Sequence, residues 1–131
     1  MTTAELASWS ATKKVLLLDV RARAEFEVSH LPAAVWAETE AQQHEAIARS
    51  EAEAVVLYCS VGWRSAIAVE GLVRSGGQRV YNLTGSIFQW ANEGRPLTDG
   101  RTEVKTVHPF NRTWGPLLQR RLWPSSWLTH D

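Results

Sequence analysis

The stretch that decides the fold runs from residue 55 to residue 65 and has the sequence VVLYCSVGWRS. It begins within an apolar run, residues 54–58, of the kind typical of a strand buried on both faces. The run is followed by Cys59, the only cysteine of the chain, and from Ser65 onward the pattern becomes helical. The thiol is therefore expected in a loop before a helix N-terminus, where oriented N–H groups and the helix dipole favour thiolate over thiol. We interpret Cys59 as a candidate nucleophile.

The composition is that of one soluble globular domain. The chain has 131 residues, of which 44% are hydrophobic and 21% are charged. Its 14 basic residues balance its 14 acidic ones, so there is no bulk charge for binding nucleic acid. The charge is uneven, with nine acidic and five basic residues in 1–58 and the reverse in 59–131. The thiol thus lies in the basic half, which would suit an anionic substrate.

The sequence shows no sign of a metal site, a membrane span or a leader. A single cysteine excludes an internal disulfide and a cysteine-based zinc site, and the four histidines do not have metal-ligand spacing. Apolar runs are only a few residues long, and the N-terminus lacks the basic start and hydrophobic segment of a signal peptide. We therefore expect a cytoplasmic protein that binds no metal.

Alternating strand and helix patterns predict an α/β fold, in which helices flank both faces of a parallel sheet. Ligands bind at the carboxyl ends of the strands in such sheets, and Cys59 follows one of those ends. Strands are predicted at 15–18, 33–36, 54–58 and 79–81, and helices at 3–9, 22–27, 38–49, 65–75 and 86–93.

Motifs spread over residues 3–97 resemble a single-domain rhodanese in order and spacing. The resemblance implies a rhodanese-like domain over residues 1–97, followed by a C-terminal extension, residues 98–131. It also implies a sulfurtransferase, in which the cysteine takes sulfane sulfur from a donor such as thiosulfate, holds it as a persulfide, and passes it to cyanide or a thiol. The motifs are Asp19-Val20-Arg21 with Glu25-Phe26, His30-Leu31-Pro32-Ala33-Ala34, Tyr58 to Ser65, and Asn82-Leu83-Thr84-Gly85-Ser86-Ile87 with Trp90.

On that resemblance, Cys59 is the catalytic residue and the loop after it binds the substrate. The backbone N–H groups of residues 60–65 are expected to stabilise the thiolate and the persulfide, and Gly62 lets the loop close tightly. Arg64 is expected to clamp an anionic donor, because a cation at a helix N-terminus is otherwise unfavourable. Trp63 is expected to form an apolar wall of the pocket. The substrate-binding set is Ser60, Val61, Gly62, Trp63, Arg64 and Ser65, and the chemistry requires no cofactor.

Four further motif residues are interpreted as structural. Asp19 is expected to cap the turn after its strand, and Arg21 and Glu25, which are four positions apart, are expected to pair. His30 is expected to be a hydrogen-bonded structural histidine, because a cradled thiolate needs no separate base. Three residues stand where rhodaneses commonly have glycine, and we expect them to adjust turns away from the thiol loop: Ser29, Ala33 and Ser86.

Two other functions stay open at this point. Phosphatases of the dual-specificity cell-cycle type share the fold but place five residues between cysteine and arginine, whereas this chain has four. A phosphatase or an arsenate reductase is therefore the weaker enzymatic interpretation. The alternative outside catalysis is a sulfur-relay or partner-binding module that recognises a sulfur-accepting protein. The intact loop from Cys59 to Arg64 favours the enzyme.

The C-terminal extension carries three of the seven tryptophans, interspersed with arginines. We expect it to wrap back and bury its aromatic side chains on the domain. Aromatic residues mixed with arginine are also typical of interfaces, so an arm for homodimerisation or partner docking is the alternative, and membrane-surface binding is a third. The residues are Trp114, Trp123 and Trp127 with Arg112, Arg120 and Arg121.

Overall fold

A buried parallel sheet forms the centre of the structure, a computed structural model that describes residues 1–12, 14–76 and 79–128. Its strands are β1 (Val15–Asp19), β2 (Val35–Trp36), β3 (Ala54–Tyr58) and β4 (Val80–Asn82). They are parallel and lie in the order β2-β1-β3-β4. All five residues of β3 are buried, so the prediction of a strand buried on both faces is confirmed.

Helices cover both faces of this sheet. They are α1 (Thr3–Thr12), α2 (Arg23–Val28), α3 (Glu40–Ala48), α4 (Trp63–Arg74), α5 (Ser86–Asn92) and α6 (Ser125–Leu128). Val56 and Tyr58 of β3 belong to one apolar cluster, which includes residues of α1 and α5, while Val55 and Leu57 belong to a second cluster with residues of α3 and α4. The predicted α/β sheet with helices on both faces is therefore confirmed. None of the helices in the described ranges is long and apolar enough to cross a membrane.

The C-terminal extension packs on the same face of the sheet as α1 and α5. It begins with an antiparallel ribbon, β5 (Leu97–Thr98) and β6 (Glu103–Val104), so the predicted boundary after residue 97 falls inside β5. Trp123 is buried in the α1/α5 cluster, whereas Trp114 is 37% exposed. A Cβ on Gly115 would lie 2.8 Å from the Trp123 ring, so this close approach needs glycine. Homodimerisation through the segment stays a prediction. The buried side chains of the segment include Val107, Leu118, Leu122 and Trp123.

A fully buried ion pair lies at the carboxyl end of β1. Asp19 Oδ1 accepts a hydrogen bond from Nε of Arg21 at 2.9 Å, Oδ2 accepts one from Nη2 at 2.7 Å, and both side chains are 0% exposed. Nη2 also donates to the carbonyl oxygen of Ser29 at 2.7 Å, which ties the end of α2 to the sheet. Burial alone would lower the pKa of Arg21, but the Asp19 carboxylate raises it above its ordinary value. The guanidinium therefore stays charged.

The predicted pairing of Arg21 with Glu25 is wrong. The four-residue spacing brings side chains together only when both positions lie on one helix. Arg21 precedes α2, whose N-cap is Ala22, and its side chain turns back to Asp19. Glu25 instead pairs with Arg64 in the cysteine loop region.

Replacing Asp19 tests the importance of the buried pair. We expect Asp19→Ala to lower the free energy of unfolding by about 3–5 kcal/mol, because it leaves the Arg21 charge buried without its partner. Urea denaturation followed by circular dichroism measures the change. The matched control is Glu27→Ala, which removes the partner of Arg23 from a pair whose side chains are 57% and 63% exposed. That change should cost less than about 1 kcal/mol, and equal losses in the two variants would contradict the expectation.

Candidate active site

Cys59 lies directly after β3, at the carboxyl edge of the sheet, and is 1% exposed. The chain then turns at Gly62, whose φ of 108° lies in the left-handed region that favours glycine. This turn brings the Gly62 N–H to 3.1 Å from Cys59 Sγ. Gly62 is the N-cap of α4, which begins at Trp63, two residues before the predicted start. The sulfur therefore faces the beginning of α4.

The thiol is surrounded by hydrogen-bond donors that favour its ionised form. The Ser65 hydroxyl lies 3.4 Å from Cys59 Sγ. Burial by itself raises the pKa of the Cys59 thiol. Hydrogen bonds from the Ser65 hydroxyl, from the N–H groups of Ser65 and Gly62, and the charge of Arg64 together bring that pKa below its ordinary value. The surroundings of Cys59 thus favour its thiolate form, and its role as the nucleophile stays a prediction.

Asn82, at the end of β4, competes with the sulfur for the Ser65 proton. Its Oδ1 lies 2.6 Å from the Ser65 oxygen, which is shorter than the 3.4 Å from that oxygen to Cys59 Sγ. Asn82 Nδ2 donates to the Gly62 carbonyl oxygen at 3.1 Å, and this bond sets the orientation of the amide. A hydroxyl has one proton to donate, so ionisation of the thiol would draw it from Asn82 towards the sulfur. The sequence had assigned Asn82 no role in the site.

Ser86 contacts the cysteine backbone from α5. Its hydroxyl accepts a hydrogen bond from the Cys59 N–H at 3.2 Å and donates one to the Leu83 carbonyl oxygen at 2.9 Å. The prediction that this departure from glycine lies away from the thiol loop is wrong, because α5 begins directly beside the loop. The φ of Ser86 is 51° and that of Ala33 is 68°, so both residues adopt the left-handed backbone that glycine would favour.

Arg64 forms an ion pair with Glu25 of α2. Its Nη1 donates to Oε2 at 3.0 Å and its Nη2 to Oε1 at 2.9 Å, while Nη2 also donates to Ser60 Oγ at 2.7 Å. Glu25 is 3% exposed. Burial raises the pKa of this carboxyl, but the hydrogen bonds and charge of Arg64 lower it below its ordinary value. A carboxylate 39 positions away in the sequence therefore offsets the unfavourable position of Arg64, which the sequence argument had attributed to an anionic donor. The clamping of a donor by Arg64 stays a prediction.

The other predicted residues lie around this centre. Trp63 is 66% exposed at the first position of α4, and its role as an apolar wall of the pocket stays a prediction. Val61 packs against the α1/α5 cluster. His30 Nδ1 donates to the Phe26 carbonyl oxygen at 2.9 Å, and its backbone pairs with Thr98, so it links α2 to β5. Among the residues that the structure describes, no three histidine, cysteine or acidic side chains are placed to hold a metal ion.

Comparison with known proteins decides the family. Residues 2–93 match the family described as Rhodanese-like domain. The chain belongs to the rhodanese-like domain family. The resemblance found in the sequence motifs is therefore confirmed, and the matched residues include the whole Cys59 loop together with Glu25, Asn82 and Ser86. The segment that follows residue 93 of this rhodanese-like protein lies outside the match.

Relatives of the rhodanese-like domain include sulfurtransferases. The chain is 35% identical over 86 residues to a sulfurtransferase of Allochromatium vinosum, covering 66% of this chain and 80% of the relative. It is 30% identical over 99 residues to the probable adenylyltransferase/sulfurtransferase MoeZ of Mycobacterium tuberculosis, covering 73% of this chain but 25% of that protein. A solved thiosulfate sulfurtransferase from Pseudomonas aeruginosa aligns with a TM-score of 0.69 and 27% identity, over 89% of this chain and 23% of that one. The domain thus resembles both a relative of similar length and parts of longer proteins.

Removing the Ser65 hydroxyl tests the electrostatics of the thiol. We expect Ser65→Ala to raise the pKa of Cys59, because the variant loses a donor to the thiolate. The rate of Cys59 alkylation by iodoacetamide, measured against pH, should have its midpoint at higher pH than in the wild type. Ser75→Ala is the matched control, because that hydroxyl bonds to the Gly71 carbonyl oxygen at the other end of α4. Overlapping profiles for Ser65→Ala and the wild type would contradict the expectation.

The Glu25 carboxylate should make the fold sensitive to acid. Its pKa is lowered in the folded state, so its ionisation stabilises the fold above the unfolded pKa of about 4.3, and this contribution is lost as the pH falls through the lower, folded value. We expect Glu25→Gln to lower the free energy of unfolding by about 3 kcal/mol at neutral pH. The variant should also lose less further stability than the wild type between about pH 5 and about pH 3. Chemical denaturation at several pH values measures both, and parallel pH curves would argue against this role.

Proposed function

We propose that the protein is a sulfurtransferase that carries sulfane sulfur on Cys59, taking it from a small anionic donor such as thiosulfate and passing it to a thiol or cyanide. The observation that carries the proposal is the position of Cys59 Sγ at the start of α4, 3.1 Å from the Gly62 N–H and with a lowered pKa. Such a sulfur is a nucleophile, and the donors that stabilise the thiolate also suit an anionic persulfide. Similarity to sulfurtransferases supports the same chemistry.

The proposed reaction has two displacement steps. The Cys59 thiolate attacks the outer sulfur of thiosulfate, an S–S bond forms, and the S–S bond of thiosulfate breaks so that sulfite leaves with the electron pair. Cyanide or a thiolate then attacks the outer sulfur of the persulfide. The Cys59 thiolate leaves with the electron pair, and thiocyanate or a new persulfide is released. No cofactor is needed, because sulfur itself undergoes the change.

The loop of residues 60–65 is the proposed binding element. The N–H groups of Trp63 and Arg64 lie in the first turn of α4, where a helix has no carbonyl group of its own to accept them. We assign these donors to the sulfonate oxygens of thiosulfate and to the outer sulfur of the persulfide. Arg64 contributes positive charge next to the loop, and Ser60 holds its guanidinium through a 2.7 Å hydrogen bond. Anion binding thus falls mainly to the backbone.

The exposed side of α4 favours a second candidate, a sulfur-relay module that serves a protein partner. Trp63 is 66% exposed and Ile67 is 53% exposed, and the two are one helical turn apart. Such an apolar pair beside the cysteine loop would fit a sulfur-accepting protein better than a small anion. The similarity to one quarter of the probable adenylyltransferase/sulfurtransferase MoeZ is compatible with this candidate.

Mass spectrometry and a turnover assay test the proposal together. After incubation with thiosulfate and removal of the excess, the intact protein should gain the mass of one sulfur atom, and cyanide should remove it as thiocyanate. Cys59 is the only cysteine, so Cys59→Ser should abolish both the mass gain and the thiocyanate formed. Absence of added sulfur on the wild-type protein, or turnover that survives Cys59→Ser, would contradict the proposal. A stable persulfide with little thiocyanate formed would favour the relay module.

A further inference from the structure

The C-terminal extension reaches the cysteine loop through one aromatic ring. The Phe110 ring lies on the guanidinium of Arg64, with Cζ 4.0 Å from the ring centroid. The other arginine–aromatic contacts that the described residues make are at 5.0 Å or more. Phe110 belongs to the segment after residue 93, outside the part of the chain that matches the family. The contact is therefore made by this chain's own extension.

Phe110 and Glu25 hold the Arg64 guanidinium from two directions. Glu25 and Ser60 accept hydrogen bonds from the two terminal nitrogens in the plane of the group. Arg64 Cζ lies over the face of the Phe110 ring, and a guanidinium is weakly hydrated and is attracted to the face of an aromatic ring. Only 29% of the Arg64 side chain stays exposed. The terminal N–H groups of Arg64 thus donate to Glu25 and are not directed at an incoming anion.

The backbone of Phe110 is strained in the conformation that places the ring. Its φ is 69°, a value that is unfavourable for an aromatic residue and natural for glycine. The Phe110 N–H donates to His108 Nδ1 at 3.0 Å, and the buried Val107 donates to the Leu122 carbonyl oxygen at 2.8 Å. Burial lowers the pKa of His108, which keeps Nδ1 available as an acceptor. Phe110 thus keeps an unfavourable backbone conformation at the point where its ring meets Arg64.

We propose that Phe110 is a positioning residue for Arg64: the ring holds the guanidinium in its ion pair with Glu25, beside Cys59 and turned away from the donor. A consequence for the donor follows, and it rests on the sulfur-transfer function proposed above. Thiosulfate is bound by the N–H groups of the loop and receives no hydrogen bond from the Arg64 guanidinium. Releasing Arg64 should therefore strengthen thiosulfate binding, because the freed N–H groups can reach the sulfonate oxygens.

The test uses three variants of the full chain. Phe110→Gly removes the ring and relieves the backbone strain, and it also removes a partly buried side chain that packs on the α1/α5 cluster, so its stability has to be measured beside its activity. Phe110→Tyr retains a ring that stacks on Arg64. Trp114→Ala removes a neighbouring aromatic side chain that is 37% exposed and, within the described residues, makes no cation–aromatic contact with Arg64. Thermal unfolding of all three gives the reference for stability.

The first readout is the rate at which phenylglyoxal modifies Arg64, resolved by peptide mass spectrometry. In Phe110→Gly we expect this rate to rise about fivefold, the size of effect expected for losing one cation–aromatic contact, and to stay at the wild-type level in the other two variants. Arg74, at the exposed end of α4, serves as the internal reference. An unchanged Arg64 rate in Phe110→Gly would overturn the proposal. So would an equal rise at Arg112, which stacks on Trp127, because the ring would then only hold the extension in place.

The second readout separates binding from chemistry. In Phe110→Gly we expect the KM for thiosulfate to fall about fivefold with a smaller change in kcat. In Phe110→Tyr, which keeps the ring, we expect the KM to stay at the wild-type value. A KM that stays unchanged while Arg64 becomes reactive would overturn the consequence for donor binding. The arginine modification needs no turnover, so it decides the positioning role even if the sulfur-transfer function fails its own test.

Discussion

The bidentate ion pair between Arg64 and Glu25 joins α2, the cysteine loop and α4 at the site. Glu25 belongs to α2 and Arg64 to α4, while Ser60 comes from the cysteine loop and bonds to both side chains. Glu25 is almost completely buried, and a buried carboxylate stays ionised only when a cation and further hydrogen bonds compensate its lost hydration. The position of α2, the path of the loop and the start of α4 therefore depend on one another.

The same pair makes an arginine tolerable at the beginning of a helix. A cation in the first turn of α4 opposes the helix dipole. Glu25 offsets that cost, and the Phe110 ring limits the access of water to the pair. The positive charge still acts on Cys59, whose pKa is lowered despite its burial. The site thus combines a neutralised ion pair with a stabilised thiolate.

Local patterns were sufficient for the four strands of the parallel sheet and for the position of Cys59 directly after β3. The run 54–58 is apolar throughout because a central parallel strand has no solvent face, and the structure places it at the centre of the sheet. The cysteine loop is contiguous, so its length and its turn at Gly62 could be inferred from neighbouring residues. Contacts from other elements were missed or misassigned. Asn82 and Ser86 reach the loop only because β4 and α5 lie beside β3, and no spacing along the chain indicates this.

By itself, the sequence determined the α/β pattern, the strand that ends directly before Cys59 and the four-residue interval between Cys59 and Arg64, because each depends on residues adjacent in the chain. Only the tertiary structure decided which carboxylate pairs with which arginine. Asp19 pairs with Arg21 and Glu25 pairs with Arg64, and Phe110 of the C-terminal extension contacts Arg64 through its ring. The physical reason is that the energy of an ion pair depends on burial and on distances across the fold, so a rule based on helical spacing paired Arg21 with the wrong acid.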